Sequence, residues 1–533
     1  LRFLRLRKHP MPKRQPKGVV AAGHPATAEA AAALLKEGGN AFDAALGAFF
    51  TACVAEPVLA SLGGGGFLLA LNGNDPARLY DFFVQTPRSK RPETEVDFHP
   101  ILADFGTTTQ EFHIGLGSIA TPGSVAGVFA VHRDLGRMPL REIITPALTL
   151  AREGVRMNPL QSYIFDIVGA IYRSTPASLA VFCSPDDHTR LIGETERLQM
   201  PLFADFIDVL AHEGERLFYE GEVAQRLVAD CATQGGHLNE DDLKRYRVER
   251  RQPLSIRYHG TKIWTNPPPS SGGLLIAFAL KLLEQCHLGR VKKGSLEHVS
   301  ALAHTMQLTN KARIDADLRQ AKHHSEAIRI LDKTFLESYR AQVLDRASCN
   351  RGTTQISVMD GAGGVASMTL SNGEGSGYLI PDTGIMLNNM LGEEDLNPRG
   401  FHRWQCDQRI ASMMSPTVMH KPDNWITACG SGGSNRIRTA ILQFLVNCID
   451  FKMDITSAVH APRLHFERDL LSVEPGFSPE VLTELERDFP KHENWERINL
   501  FFGGVHAVTH RFTDDTLEGI GDPRRGGVAR LIE

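Results

Sequence analysis

The stretch "CNRGTTQISVMD", residues 349–360, decides how the chain is organised. Gly352 and Thr353 end an irregular segment, and the alternating apolar residues that follow directly predict a β-strand. The next stretch, "GAGGVASMTLS" at 361–371, predicts a turn and a second strand, so a hairpin would place Ser371 on the strand paired with the one that Thr353 begins. Two interpretations are open. Either a strand simply starts here, or the chain is cut before Thr353 and a new N-terminus is created.

The residue pattern differs on the two sides of this point. Residues 137–340 show mainly helical patterns, interrupted by a strand-like piece at 254–265 and the turn "NPPPSSGG" at 266–273. Short alternating strands joined by Gly, Asn and Asp dominate the chain after residue 353. We therefore predict an α+β fold in which two antiparallel sheets are covered by helices on both outer sides. The predicted parts are a basic disordered tail over 1–18, a helix-rich unit over 19–352 and a strand-rich unit over 353–533.

The overall composition excludes several classes of function. A net charge of -4 over 533 residues gives no general attraction for nucleic acid or an anionic membrane. The eight cysteines are scattered, without a C-x-x-C pair or zinc-finger spacing, so free thiols are the simplest interpretation and a disulfide stays open. The first 18 residues are basic and lack the apolar region of a secretion signal. We expect no metal, no cofactor, no nucleic-acid or membrane partner, and a cytoplasmic location.

A threonine at a chain N-terminus carries its own catalytic groups. Its hydroxyl is a nucleophile, and its α-amine, with a pKa near neutrality, can act as the base. The amine is released only when the preceding peptide bond is cut, and a glycine such as Gly352 suits that bond because it tolerates a strained backbone. A Gly-Thr pair alone is far more often an ordinary strand start, so the interpretation depends on other segments.

Three of those segments carry hydroxyls or exposed backbone N–H groups. "ACGSGGSNRIRTAIL" at 428–442 predicts a strand, a glycine turn and a helix, so Gly432 and Gly433 could form an oxyanion hole or simply a tight turn. Ser371 could hold the oxygen of the nucleophile or lie on the surface at a strand end. Ser412 lies near a proline turn, where turn chemistry is the alternative. Phosphate-loop, dinucleotide-binding and zinc-protease motifs are missing from the sequence.

Taken together, these segments resemble the γ-glutamyltranspeptidase family of N-terminal-nucleophile hydrolases. The resemblance covers nearly the whole chain after the tail. It is carried in order by "VVAAGHPATAEAAAALLKEGGNAFDAALGAFFTACVAEP", "GGGGF", "ATPGSVAG", "NPPPSSGG", "TTQISVMD", "GIMLNNM", "SMMSPT", "GSGGSNRI", "GGVHAV" and "GDPRRGG". The resemblance implies a four-layer αββα sandwich and self-cleavage between Gly352 and Thr353 into a large and a small subunit that stay together. It also implies transfer of an acyl group from a γ-glutamyl amide, as in glutathione, to water or an amino acid.

The resemblance also assigns roles to individual residues. Thr353 would be the nucleophile with its free amine as the base, and Ser371 would be the supporting hydroxyl. Gly432 and Gly433 would form the oxyanion hole. Ser412 would lie near the carboxylate of a small-molecule amide or peptide substrate.

Several positions depart from the family pattern, and they concern substrate binding. Asn372 stands one position before the place of the expected Asn, and Met413 replaces the second serine of a Ser-Ser pair. The acidic residue for the substrate amine would be Glu393 or, as the weaker choice, Glu394. At the place of the arginine that binds the substrate α-carboxylate, "YDFFVQTP" has Phe83. Because a bidentate arginine contact is strong and selective, its loss favours other acyl groups.

Arg88 or Arg91 could substitute for the missing arginine only with a shift of several residues. Three interpretations of the function therefore stay open. The chain is a γ-glutamyl hydrolase or transferase, an acylase that uses the same machinery on another amide such as a glutaryl side chain, or a scaffold that has lost turnover. The retained Gly-Thr-Thr, Ser371 and paired glycines speak against the scaffold.

Overall fold

Two antiparallel β-sheets pack face to face between outer layers of helices, as the sequence predicted. The structure is a computed structural model. It describes residues 16–73, 75–104, 109–316, 327–340, 353–397 and 399–533. Residues 1–15 of the predicted tail over 1–18 therefore lie outside the described residues, and so does Gly352 of the predicted cleavage site. Gly18, placed at the end of the tail by the prediction, is the first residue of a strand.

The first sheet combines strands from both sides of residue 353, and all its neighbours run antiparallel. In spatial order its strands are β22 (Val528–Ile532), β1 (Gly18–Ala22), β11 (Thr354–Asp360), β12 (Gly364–Ser371), β2 (Gly65–Asn72), β3 (Arg78–Asp81) and β8 (Glu249–Arg251).

The second sheet is also antiparallel. In spatial order its strands are β21 (Thr516–Ile520), β20 (Gly504–Arg511), β16 (Trp425–Gly432), β15 (Thr417–Lys421), β10 (Thr261–Thr265) and β9 (Leu254–Tyr258). Small sheets at the periphery are formed by β4 (His99–Asp104) with β5 (Thr109–Ile114), β6 (Val155–Arg156) with β7 (Arg197–Leu198), β13 (Leu379–Ile380) with β14 (Ile385–Met386), and β17 (Leu464–Glu467) with β18 (Leu470–Val473) and β19 (His492–Asn494).

The described helices concentrate between residues 124 and 340, a range that includes residues 137–340, where helical patterns were predicted. They are α1 (Pro25–Lys36), α2 (Ala41–Ala55), α3 (Ser124–Leu135), α4 (Leu140–Ile143), α5 (Thr145–Glu153), α6 (Pro159–Tyr172), α7 (Pro176–Phe182), α8 (Pro201–Glu213), α9 (Arg216–Tyr219), α10 (Glu222–Gln234), α11 (Glu240–Lys244), α12 (Gly272–Leu283), α13 (Leu296–Asp315), α14 (Lys333–Arg340), α15 (Arg436–Ile449), α16 (Ile455–His460) and α17 (Pro479–Asp488).

Helix α2 shows how local sequence sets up the layer beneath the first sheet. The Asn40 side chain accepts hydrogen bonds from the N–H groups of Phe42 and Asp43, and the Asp43 carboxylate accepts one from the Asn40 N–H, which completes a capping box. Every residue of α2 is buried, because the helix is apolar on all sides and lies between the sheet and other helices.

Strand β11 divides its side chains between two cores. Ile356 and Val358 join the core that includes α1 and α2, whereas Met359 joins the core between the two sheets. This alternation follows from the pleat of a strand, which sends successive side chains to opposite faces. Both faces of β11 are therefore buried, and the residue just before the strand lies deep in the molecule.

The cysteines within the described residues are free thiols, so the simpler of the two interpretations of their spacing is confirmed for them.

Candidate active site

Thr353 lies directly before β11, in the middle of the first sheet, and is 4% exposed. Thr354 pairs with Leu370 in the ladder between β11 and β12. Extending that register by one residue sets Thr353 opposite Ser371, the last residue of β12. The structure therefore brings together the two hydroxyl residues that the hairpin prediction paired.

The side of β11 that bears Gln355 and Ser357 faces the second sheet, and Thr353 shares it by alternation. The Gln355 Nε2 atom donates hydrogen bonds to the hydroxyls of Ser357 and Ser367, at 3.0 Å each. The Ser357 hydroxyl donates to the backbone carbonyl of His506 at 3.0 Å. These bonds couple β11 to the strand β20 across the space between the sheets and fix the direction in which Thr353 projects.

Strand β16 ends at Gly432 beside Thr353, and Gly433 follows in the turn, in the predicted order of strand, glycine turn and helix. A Cβ atom on Gly432 would collide with the backbone carbonyl of Thr353, so only glycine allows this approach. Gly433 has a φ of +115°, a conformation that side-chain-bearing residues rarely adopt. Helix α15 begins at Arg436, whose N–H donates to the Gly433 carbonyl at 3.0 Å. Their role as an oxyanion hole stays a prediction.

The turn after β12 packs against the loop that carries the predicted acidic residue. The Ser371 hydroxyl accepts a hydrogen bond from the Gly373 N–H at 3.2 Å. A side chain on Gly373 would collide with the carboxyl group of Glu393. Asn372 is fully buried, and within the described part of the chain its Oδ1 atom has no hydrogen-bond partner. Ser371, Asn372 and Glu393 therefore lie in one neighbourhood, and their roles toward a substrate stay predictions.

The structure distinguishes Glu393 from Glu394. Glu393 is buried against the turn described above, whereas the Glu394 side chain is 64% exposed and lies 3.7 Å from Arg468 at the surface. One residue further on, the Asp395 carboxylate accepts hydrogen bonds from Ser434 at 3.3 Å and Asn435 at 3.2 Å. This acidic loop is thus joined to the start of α15, a link that nothing in the sequence indicated.

Ser412 and Met413 contact the "NPPPSSGG" segment at the start of α12. The Ser412 carbonyl accepts a hydrogen bond from the Ser271 N–H at 3.0 Å, and its hydroxyl accepts one from the Met414 N–H at 3.0 Å. The Met413 sulfur accepts one from the Ser271 hydroxyl at 3.5 Å. These bonds explain why the two segments are held together, and the substrate contacts of Ser412 and Met413 stay predictions.

Phe83, which stands at the place of the family arginine, is a core residue. It is 1% exposed, and its ring centroid lies 5.5 Å from that of Phe67 on β2. Its backbone carbonyl accepts hydrogen bonds from the Tyr246 hydroxyl at 2.7 Å and from the Arg409 guanidinium. The Arg409 guanidinium also lies 3.5 Å from Asp81.

The two arginines considered as substitutes for Phe83 are engaged elsewhere. Arg88 pairs with Asp407 at 3.0 Å, and Arg91 donates to the carbonyl of Ala232 at 2.8 Å. Both contacts hold surface segments together. Neither arginine therefore takes the place of the missing carboxylate ligand in this conformation.

Two buried charged residues lie close to Thr353 and were not anticipated from the sequence. The Arg525 guanidinium donates to the Thr353 carbonyl at 3.3 Å, and burial lowers its pKa to about 10. Glu56 accepts a hydrogen bond from the Thr354 hydroxyl at 2.9 Å, and burial raises the pKa of its carboxyl to about 7. Both belong to quoted motifs, "FTACVAEP" and "GDPRRGG", to which no role had been given.

Within the described ranges, no group of three or more His, Cys, Asp or Glu side chains is arranged to hold a metal ion. In the same part of the chain, no helix is both long enough and apolar enough to cross a lipid bilayer.

The fold defines the class of the protein: an αββα sandwich of the N-terminal-nucleophile hydrolase type. The profile of the family described as Gamma-glutamyltranspeptidase matches residues 27–532. The chain belongs to the γ-glutamyltranspeptidase family, whose members are enzymes. The resemblance noted in the sequence is thereby confirmed at the level of the family.

Relatives named as glutathione hydrolases and relatives named as acylases both match this chain. The chain is 29% identical over 550 residues to the Glutathione hydrolase proenzyme of Escherichia coli (strain K12), covering 96% of this chain and 91% of that protein. It is also 29% identical over 534 residues to the Acylase ACY 1 proenzyme of Pseudomonas sp. (strain V22), covering 97% of this chain and 94% of the relative. The crystal structure of cephalosporin acylase from Bacillus halodurans superimposes with a TM-score of 0.82 at 23% identity, over 99% of both chains, and supports the fold.

Proposed function

We propose that the chain is a self-processing N-terminal-threonine amidohydrolase and acyltransferase, cut between Gly352 and Thr353 into two subunits that stay together. The Thr353 hydroxyl would attack the carbonyl carbon of the donor amide and lose its proton to the Thr353 α-amine. The C–N bond would then break, and the departing nitrogen would take that proton. Water or an amino-acid amine would finally accept the acyl group from the threonine ester, which restores the hydroxyl.

The close approach of Gly432 to the Thr353 carbonyl supports this proposal most strongly. It requires the glycine turn and the residue before β11 to be neighbours, as a nucleophile and an oxyanion hole must be. The turn leads into α15, and the N-terminal end of a helix favours negative charge. Ser371, opposite Thr353 in register, would hold the oxygen of the nucleophile.

For the donor we propose a γ-glutamyl-type acyl group of a glutathione-like amide. Glu393 would bind the substrate amine, Ser412 would lie near its carboxylate, and Asn372 and Met413 would line the same pocket. A matched pair of variants tests the first assignment. Glu393→Gln should raise KM for a γ-glutamyl substrate about tenfold or more, because an unpaired ammonium loses a charged partner. Glu394→Gln removes the same charge at the surface and should leave KM within about twofold.

A second candidate is an acylase that acts on an amide without the γ-glutamyl amino acid group. The buried Phe83 favours it, because an apolar core residue stands where a carboxylate-binding arginine is expected. The relative named as an acylase is as similar to this chain as the relative named as a glutathione hydrolase.

The first experiment is the intact mass of the purified protein under denaturing conditions, with N-terminal sequencing of each chain. Dividing the 58.7 kDa mass at residue 352 predicts chains of about 39 and 20 kDa, the smaller starting Thr-Thr-Gln-Ile-Ser. Two such chains would support the proposed nucleophile. A single uncut chain without amidase activity would instead support the third interpretation, a scaffold that has lost turnover.

The second experiment compares anilides that differ by one group at a time: γ-glutamyl, glutaryl (without the amine), 4-aminobutyryl (without the carboxylate) and butyryl (without both). Preference for γ-glutamyl over glutaryl would support the first donor class. Equal or better turnover of glutaryl or butyryl would support the acylase. A Phe83→Arg variant that gains γ-glutamyl turnover would also support the acylase, because it would restore the missing contact.

The cytoplasmic location is likewise only proposed, and cell fractionation with an antibody against the chain tests it.

A further inference from the structure

The buried carboxyl group of Glu56 links the large-subunit side of the chain to the residue after Thr353. Its Oε2 atom accepts a hydrogen bond from the Thr354 hydroxyl at 2.9 Å, and its Oε1 atom accepts one from the Thr27 hydroxyl at 3.0 Å. Glu56 is 1% exposed. A Cβ atom on Gly23 would lie 2.5 Å from the Glu56 Oε2 atom, so a glycine in the connection between β1 and α1 leaves room for the carboxylate.

Glu56 is itself held firmly. It closes helix α2, donating its N–H to the Ala52 carbonyl at 2.8 Å. Its own carbonyl accepts hydrogen bonds from the N–H groups of Leu59 at 2.8 Å and Ala60 at 3.0 Å. A carboxylate on such a rigid backbone can fix the position of what it binds, because little rotamer freedom remains for the pair to lose.

The bond to Thr354 bears directly on Thr353, since one peptide unit joins them. Thr354 is held by the Leu370 pairing on the main chain and by Glu56 on the side chain, so its rotation about the strand axis is determined. That rotation sets where the hydroxyl and the amine of Thr353 project on the opposite face. A displacement of about 1 Å at a reacting group can lower a rate about a hundredfold.

We propose that Glu56 is a positioning residue for the reaction of Thr353: its carboxylate holds the Thr354 hydroxyl and thereby aims the nucleophile at the Gly432 turn. This inference rests on the proposed function, in which Thr353 is the nucleophile. Glu56 makes no contact with the substrate in this scheme and acts only through Thr354.

The ionisation of Glu56 provides a readout. Burial raises its pKa to about 7, against the lowering effects of the two hydroxyls and of Arg525. Burial also raises the pKa of the Cys53 thiol on the same helix and lowers that of His24, next to Gly23, to about 4, so both are neutral near pH 7. Once protonated, Glu56 cannot accept from both hydroxyls in the same way, because one oxygen becomes a donor.

The test uses the full-length, processed enzyme and its best anilide substrate. Glu56→Gln should lower kcat about tenfold and leave KM within about twofold, since the substrate contacts are intact. In the wild type, protonation of Glu56 should lower kcat/KM about tenfold beyond the loss caused by protonation of the Thr353 amine, so log(kcat/KM) should fall more steeply than one unit per pH unit near pH 7. This additional step of about one log unit should be absent in Glu56→Gln. Thr354→Val should reproduce the loss of kcat, and the double variant should lose little more.

Two matched variants separate positioning from general support of the fold. Thr354→Ser keeps the hydroxyl and should keep kcat within about twofold. Thr27→Val removes the other hydrogen bond to the same carboxylate, away from Thr353. Because one donor to the charged form is lost, its acid limb should move to higher pH, while kcat at pH 9 stays within about twofold.

Unchanged kcat and an unchanged acid limb in Glu56→Gln would overturn the inference. So would an equal loss of kcat in Thr27→Val and Thr354→Val, which would mean general destabilisation. If Glu56→Gln does not fold, the Thr354→Val and Thr354→Ser pair decides, and equal kcat in the two overturns the inference. An uncut, inactive wild type would refute the proposed function before any variant is made, so the two failures are distinguishable.

Discussion

The surroundings of Thr353 and the surroundings of Phe83 are held by different forces. Around Thr353 the contacts are polar or involve backbone: Gly432, Arg525 and, through Thr354, Glu56. The Phe83 side chain packs against the ring of Phe67, and the polar contacts from Tyr246 and Arg409 are made to its backbone carbonyl. Backbone contacts and buried charges tolerate few substitutions, whereas an apolar core accepts residues of similar volume. The surroundings of Thr353 are therefore tightly specified, whereas the packing around Phe83 should accept replacement by apolar residues of similar volume.

The largest expected effect comes from removing the nucleophile. Thr353→Ala should leave a single uncut chain and abolish amidase activity, because the hydroxyl proposed as the nucleophile is lost. Mass spectrometry and the anilide assay measure the two outcomes. Thr353→Ser, which keeps a hydroxyl, serves as the control and should retain some processing. A normally cut alanine variant would show that the nucleophile lies elsewhere.

Gly432→Ala tests the close approach of Gly432 to the backbone carbonyl of Thr353. The added methyl group would collide with the Thr353 carbonyl, so we expect kcat to fall about 10²- to 10³-fold and the melting temperature to drop. Gly193→Ala is the matched control, since its Cβ would meet other atoms at 3.4 Å or more. Wild-type kcat in Gly432→Ala would contradict the placement of the turn against the nucleophile.

In the surroundings of Phe83, the Phe83→Ala substitution should lower the stability of the fold. Loss of a buried phenyl ring should lower the free energy of unfolding by about 3–5 kcal/mol. Phe83→Leu, which keeps most of the volume, should cost about 1 kcal/mol. Denaturant unfolding of both variants measures the difference. Equal stability of Phe83→Ala and the wild type would mean that the Phe83 side chain is not part of the packed core.

The smallest expected effect is the pH dependence that Glu56 gives to stability. Its pKa is raised from 4.5 to about 7 on folding, so the stabilisation present at low pH is lost as pH rises between these values. The change amounts to about 3 kcal/mol at most. We expect the free energy of unfolding of Glu56→Gln, relative to wild type, to rise between pH 5 and pH 8. A constant difference would contradict the raised pKa.

Much of the fold follows from local patterns in the sequence. The β11–β12 hairpin and the order of strand, glycine turn and helix around Gly432 were both predicted from periodicity and turn residues. The pairing of Thr353 with Ser371 also followed, because a hairpin fixes register over a short distance. The resemblance favoured Glu393 over Glu394, and the structure buries the first and exposes the second, while the amine-binding role stays a prediction.

The contacts that the sequence did not reveal are those between distant residues. Glu56 and Thr354 are 298 positions apart, and Arg525 and Thr353 are 172 apart, so no periodicity connects them. Their partners are chosen by the packing of the whole sandwich and not by local propensity. Nothing in the local sequence around Glu56 indicates that its carboxyl group accepts a hydrogen bond from Thr354, next to Thr353.

The strand order of the first sheet has a consequence for how such an enzyme could be made. Strand β1, from before residue 353, lies between β11 and β22, from after it, and β12 lies between β11 and β2. A cut before Thr353 would therefore leave two polypeptides woven through each other. Folding of the uncut chain is unimolecular, whereas reassembly of separated pieces would be bimolecular and would depend on concentration. We expect the cleaved protein, once unfolded by heat, to recover poorly, so that each molecule has effectively one opportunity to assemble.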